Sequence, residues 1–228
     1  MPMRFLDRRD AGRQLAEKFA DYADDPSVLV LGLPRGGVPV AYEVARRLHA
    51  SLDVFVVRKL GVPGHRELAM GAIASGGVRV LNLDVIDALK IARATVESAA
   101  QRELVELERQ QRAYSGPRAL PELAGRIVIV VDDGLATGST MRAAVQALRQ
   151  SKPARIVVAV PIAAAETASS LQEEADHVVC LNAPPDFNAV STWYENFSQT
   201  SDEEVRDLLE AAARRGVCDV DVSHGSSD

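Results

Sequence analysis

The segment from Val128 to Thr140 limits what this chain can fold into more than any other stretch. Val128, Ile129, Val130 and Val131 run straight into the adjacent carboxylates of Asp132 and Asp133. The loop Gly134-Leu135-Ala136-Thr137-Gly138-Ser139-Thr140 follows, then helix-compatible sequence from Met141 to Gln150. An unbroken β-branched run predicts a strand buried on both faces, as in a parallel sheet. The C-terminal end of such a strand, where a loop enters a helix, is where open α/β sheets bind ligands. Backbone N–H groups and the helix dipole at that point favour an anion. Carboxylates just upstream suit sugar hydroxyls, which donate to them. The segment reads as a cradle for a phosphorylated ribose, acids on the ring hydroxyls and loop on the 5′-phosphate. A strand, a capped turn and a helix start would explain Asp133 or Ser139 singly, but not two adjacent acids closing an apolar strand.

The rest of the chain fits one α/β domain. It has 228 residues, 47% of them hydrophobic, enough for a full core. A net charge of −6 argues against bulk nucleic-acid binding. The first residues lack an apolar signal core, and the longest apolar stretch, Ile156 to Ala165, is too short to span a bilayer. Cys180 and Cys218 do not form a disulfide framework. These features predict a soluble cytoplasmic protein with neither nucleic-acid nor membrane partner.

Periodicity and breakers place the elements. Asp10 is positioned to cap a first helix, and Val28 to Leu33 reads as a buried strand turned by Gly32-Leu33-Pro34-Arg35-Gly36-Gly37. A helix over Val38 to His49 leads to a second strand, Leu52 to Val57, ending at Arg58-Lys59. Leu60 to Leu68 lacks an apolar period and reads as a mobile loop; Ala72–Ala74 and Val78–Leu81 read as a hairpin. Asp84 then caps one long helix to about Tyr114, roughly 45 Å of it. Its stripe, including Val96, Leu104 and Leu107, predicts either self-association or folding back onto its own domain. Further strands at Arg155–Val160 and His177–Leu181 flank a helix over Ala164–Ala175. Asn182 to Thr200 is irregular, and Ser201-Asp202-Glu203-Glu204 is a capping box for a last helix to about Arg215. The tail, 216–228, reads as disordered. Alternating strands and helices predict a parallel sheet flanked by helices.

Val128–Thr140 closely resembles the phosphoribosyl-diphosphate (PRPP) binding motif of type I phosphoribosyltransferases, and the adenine-specific members carry nearly the same string. The resemblance implies an α/β fold with a five-stranded parallel core in one domain over residues 1–215. It adds an inserted hairpin and long helix at about 70–115 and a small hood at about 182–200. It also implies Mg²⁺, carried mainly by PRPP with a possible ligand in Asp132 or Asp133, and a homodimer. Asp132 and Asp133 would hold the ribose, and Gly134, Leu135, Ala136, Thr137, Gly138, Ser139 and Thr140 the 5′-phosphate. Pro34, Arg35, Gly36 and Gly37 would form the pyrophosphate loop, often with a non-proline cis peptide, here Pro34–Arg35. One of Arg58 and Lys59, with Lys59 favoured, would reach the diphosphate. His65 and Arg66 would sit on a flexible catalytic loop; an ordinary polar loop is the alternative. Phe187, Trp193 or Tyr194 would stack on an acceptor base, unless Trp193 and Phe197 only anchor a short helix. Ala136 stands where hypoxanthine/guanine enzymes carry an Asp, which weakens that specificity. The layout is also similar to a group of uncharacterised phosphoribosyltransferases with this Pro-Arg-Gly-Gly loop. The implied activity is transfer of 5-phosphoribosyl from PRPP to a nitrogen acceptor, a nucleobase, with release of diphosphate. A PRPP- or nucleotide-sensing regulator on the same fold is the second reading. A phosphohydrolase is a weaker third, without an Asp-x-Asp pattern.

Overall fold

The computed structural model describes residues 4–116 and 120–222, with positions 66, 67 and 216–222 described by backbone alone. In chain order the elements are α1 (Arg8–Ala16), β1 (Val28–Gly32), α2 (Gly37–Leu48), β2 (Ser51–Val54), β3 (Val57–Val62), β4 (His65–Ala74) and β5 (Val78–Leu81). There follow α3 (Leu83–Ala88), α4 (Arg93–Ser115), β6 (Ile127–Val131), α5 (Ser139–Gln150), β7 (Arg155–Ile162), α6 (Ala165–Leu171), β8 (His177–Asn182) and α7 (Asp202–Val222). A five-stranded sheet has the order β2-β1-β6-β7-β8, parallel throughout. This is the expected core. β3, β4 and β5 make a second, antiparallel sheet. Every residue of β1 is buried, as are Val128 to Val131 of β6 and Ile156 to Ile162 of β7, so helices cover both faces. One face packs on α2, α4 and α7, and the other on α5 and α6. Among the described residues no helix is long and apolar enough to cross a membrane.

Several expectations need correction. Asp7, not Asp10, caps α1: its carboxylate accepts from Asp10 N at 2.8 Å, and Asp10 in turn accepts from Leu6 N at 3.1 Å. The expected long helix is two. Asn82, not Asp84, caps α3, whose last turn closes at Leu89 before α4 starts afresh at Arg93. Lys90, at φ 49°, sits in the left-handed region, which interrupts the helix. The stripe on α4 is used within the chain: Val96 and Leu107 are buried in the main core and Leu104 packs against it. The reason for placing α4 at a dimer interface therefore falls away.

The expected flexible loop, with His65 and Arg66, is instead the tip of a hairpin. β3 pairs with β4 across a turn at Pro63-Gly64, Val62 lying opposite His65. Leu60 and Val62 point into the core while Lys59 and Gly61 are exposed, an alternation only four residues long and easily overlooked. Arg58 and Lys59 accordingly lie within β3, not at the end of β2. The last helix, capped by Ser201 Oγ on Glu204 N at 3.0 Å, continues past Arg215 to Val222, so the start of the expected disordered tail is helical. Residues 223–228 of that tail lie outside the described residues.

Candidate functional site

β1 and β6 are neighbours, so their C-terminal ends bring two loops side by side. After β6, Asp132 and Asp133 end the strand, and Gly134 to Gly138 lead into α5. The Leu135 amide donates to the Ile162 carbonyl, and Thr167 Oγ1 donates to the Ala136 carbonyl, tying the loop to β7 and α6. Gly138 adopts φ 67°, and a methyl group there would lie 2.5 Å from Thr167 Cγ2, so only glycine fits. The amides of Ala136, Thr137, Gly138 and Ser139 have no hydrogen-bond partner among the described residues. Four such amides converging at a helix start, with the Thr137 and Ser139 hydroxyls 3.1 Å apart beside them, make an anion cradle. The hollow over this loop, about 160 Å³ and roofed by Val190, suits a phosphoryl group with part of a sugar.

The loop after β1 packs directly on the acids. The Pro34–Arg35 peptide is cis. A methyl group on Gly36 would lie 2.0 Å from Asp133 Oδ2, and one on Gly37 would lie 2.6 Å from the Val131 carbonyl. The amides of Arg35 and Gly36 are also without partners among the described residues. The Arg35 guanidinium lies 3.7 Å from Asp202 at the start of α7, and Asp202 also accepts from the Tyr114 hydroxyl at 3.0 Å. Burial and this bond push the Tyr114 phenol up to about 12.

The acid pair is electrostatically asymmetric. Burial, reinforced by the charge of Asp133, pushes the Asp132 carboxyl well above the usual carboxylate range. Burial also raises Asp133, but the Arg8 guanidinium opposes it, with Nε 2.8 Å from Asp133 Oδ2. Arg8 further donates to the Ser198 carbonyl at 2.6 Å and stacks 3.9 Å from the centre of the Phe197 ring. Sequence reasoning missed Arg8, Asp202, Tyr114 and Val190. Each reaches the site across a long stretch of chain, and no local pattern marks it.

The remaining expected site residues divide. Lys59 Nζ donates to Ser139 Oγ at the edge of the cradle, whereas Arg58 pairs with Glu103 of α4 at 2.8 Å. His65 is exposed at the hairpin tip, and the side chain of Arg66 lies outside the described residues. Tyr194 is not available to stack on a ligand. It is buried between Phe5 and Phe197, its hydroxyl donates to the Asp133 carbonyl at 2.6 Å, and burial raises its phenol. Its side chain closes the back of the site, bridging the 182–200 segment to the acid loop. Phe187 and Trp193 are half-buried in the same cluster. Among the described residues no group of three metal-type ligands forms.

The family profile for the phosphoribosyl transferase domain matches residues 6–198. A Mycobacterium tuberculosis protein provisionally named a phosphoribosyl transferase, from strains CDC 1551 and H37Rv alike, is 49% identical over 210 residues, 92% of this chain. The chain spans about half of that relative, 47% of its length. The crystal structure of a Thermus thermophilus protein, 44% identical, superposes with a TM-score of 0.81 over 91% of this chain and 98% of that one.

Proposed function

The chain belongs to the type I phosphoribosyl transferase family, and on that premise we propose that it moves the 5-phosphoribosyl group of PRPP to a nitrogen acceptor, a nucleobase, releasing diphosphate. The observation that carries the proposal is the row of unpartnered amides from Ala136 to Ser139 directly after two adjacent carboxylates. The amides and the Thr137, Ser139 and Thr140 hydroxyls hold the 5′-phosphate. Asp132 and Asp133 accept from the ribose hydroxyls. As the bond from C1 to the diphosphate breaks, the sugar gains positive charge, and the two nearby carboxylates stabilise it electrostatically. The free amides of Arg35 and Gly36 and the Arg35 guanidinium take up the departing diphosphate, and Lys59 adds a cation at the Ser139 edge.

The donor set fits Mg²⁺. Asp132 and Asp133 offer oxygen ligands at the cradle, and Mg²⁺ typically takes one or two carboxylates beside substrate phosphates and water. When bound, the ion neutralises charge on the diphosphate; Asp132 would hold it, since Asp133 is already paired with Arg8. Phe187 and Trp193 supply the flat faces for an acceptor. The hairpin tip around Pro63-Gly64 acts as the lid that keeps water from the reacting sugar. Self-association as a homodimer uses a surface other than α4.

The test is a panel of nucleobases with PRPP, following diphosphate release. Release with one base identifies the acceptor. PRPP binding without release for any base would leave a PRPP-sensing protein on the same fold. No binding of PRPP at all would overturn the proposal.

A further inference from the structure

Beyond the cradle, on the far side of Ser139, a second cleft of about 360 Å³ runs down between α5 and the small β3-β4-β5 sheet. Its size comes from residue choice. The sheet carries Gly61, Ala69 and Ala72 along the cleft, and α5 answers with Ala143. A helix packed on a sheet normally fills that layer with branched side chains at core density. Here a methyl group on Gly61 would meet nothing within 4 Å.

The polar groups around this slot are unevenly used. Lys59 stands at the cradle end, donating to Ser139 Oγ. Farther along, the Asn82 oxygen is taken by the Val85 amide, and its N–H₂ group has no partner among the described residues. The Gln146 amide nitrogen donates to Glu174 at 3.2 Å, and its carbonyl has no partner among the described residues. No carboxylate stands among the described lining residues. The slot thus offers Lys59 at one end, Arg142 already held by Glu174 and Ser170 on the α5 side, a donor and an acceptor farther in, and small walls between. Ligand pockets of this volume combine mostly apolar walls with a few placed polar groups.

We infer that this cleft is a second binding site, for a nucleoside 5′-phosphate. The base lies between the Ala69–Ala72 face and Ala143. The Asn82 donor and Gln146 acceptor meet the hydrogen-bonding edge of the base, and the phosphate meets Lys59. Thr137 and Ser139 line both the cleft and the cradle. The occupant therefore joins the hairpin sheet to the phosphate loop and acts as an effector of the first site. This inference rests on the cradle binding phosphorylated sugar for that regulatory step and for the first of the two equivalents counted below.

The experiment is equilibrium binding of adenosine 5′-monophosphate to the full chain. Wild type should take up two equivalents, one in the cradle and one in the cleft. Ala143→Leu fills the slot from the helix side with a good helix former and should take up one, with an unchanged melting temperature and unchanged PRPP binding. Gln146→Ala should keep both sites but weaken the second about tenfold. One equivalent in wild type and in Ala143→Leu alike, or two in both, overturns the inference. A wrong cradle assignment shows differently: the equivalent that survives Ala143→Leu would then also survive Asp132→Asn with Asp133→Asn.

Discussion

The five-stranded core and the inserted β3-to-α4 unit are built from similar residues by different rules. In the core, β1 and β7 are buried on both faces, so each strand is specified by its own run of Val, Ile and Leu whichever strand lies beside it. In the insert, β3 alternates buried and exposed positions and β5 is only half-buried, so those strands depend on their partners. The glycines follow this division only in part, since a Cβ on Gly71 of β4 would lie 2.3 Å from the Val80 carbonyl. Gly36, Gly37 and Gly134 stand where backbone or site side chains leave no room for a Cβ, whereas Gly61 and Gly64 face open space. The core is therefore intolerant where it forms the site, whereas the insert leaves room for a side chain at Gly61 of β3.

The widest gap between the regions should appear in ligand binding. Asp132→Asn with Asp133→Asn removes two charge-assisted bonds, about 1.5–3 kcal/mol each, and should weaken PRPP by roughly 10²–10⁴-fold. Arg58→Ala, which breaks only an ion pair within the insert, should leave PRPP affinity within about threefold. Titration calorimetry measures both, and comparable losses would erase the distinction.

Adding one methyl group in each region comes next. Gly37→Ala forces β6 and α2 apart and should cost about 2–3 kcal/mol, lowering the melting temperature by roughly 4–12 °C. Gly61→Ala should stay within about 0.5 kcal/mol of wild type.

A smaller effect sets stability against function inside the core. Burial raises the folded-state pKa of Asp132 above its unfolded value, so wild type loses stability as pH rises through that raised pKa. Asp132→Asn should then raise the melting temperature at neutral pH while weakening PRPP. The gain should vanish below about pH 3.9, where the unfolded carboxyl is also protonated. A gain that persists at low pH would locate its cause elsewhere.

The smallest change belongs to α4. Val105, 61% exposed, is the large apolar residue on that helix left facing out. Val105→Glu should shift stability by less than about 0.5 kcal/mol and leave the mass seen by light scattering unchanged. A mass halved by this substitution would return α4 to the subunit interface.

The same contrast explains what could be read from the sequence. Val128 to Val131 announce a doubly buried strand, and the Asp-Asp pair with its Gly-Thr loop announces an anion cradle, because both signals are local. Alternation with helices announces a parallel sheet, whereas the order β2-β1-β6-β7-β8 has no local signal. Leu60-Gly61-Val62 is too short to signal a strand, and it becomes one only through pairing with β4. Leu89 to Ala92 carries no Pro or Gly, so the break between α3 and α4 is silent in composition. Tyr194 looks like a face for a base but is claimed by Phe5 and the Asp133 carbonyl, a contact between distant parts of the chain.

The grip on Asp133 has a consequence for the order of events during synthesis. Arg8 precedes it by 125 residues and Tyr194 follows it by 61. A nascent chain that has just released β6 from the ribosome already contains the acid pair, the cradle residues and Arg8. It still lacks the Tyr194 hydroxyl under the Asp133 carbonyl and the Ser198 carbonyl that orients Arg8. Loop closure over such distances is slow compared with local helix formation. The sheet can therefore assemble while the ribosome is still working, and the acid pair becomes fixed only when translation has passed Ser198.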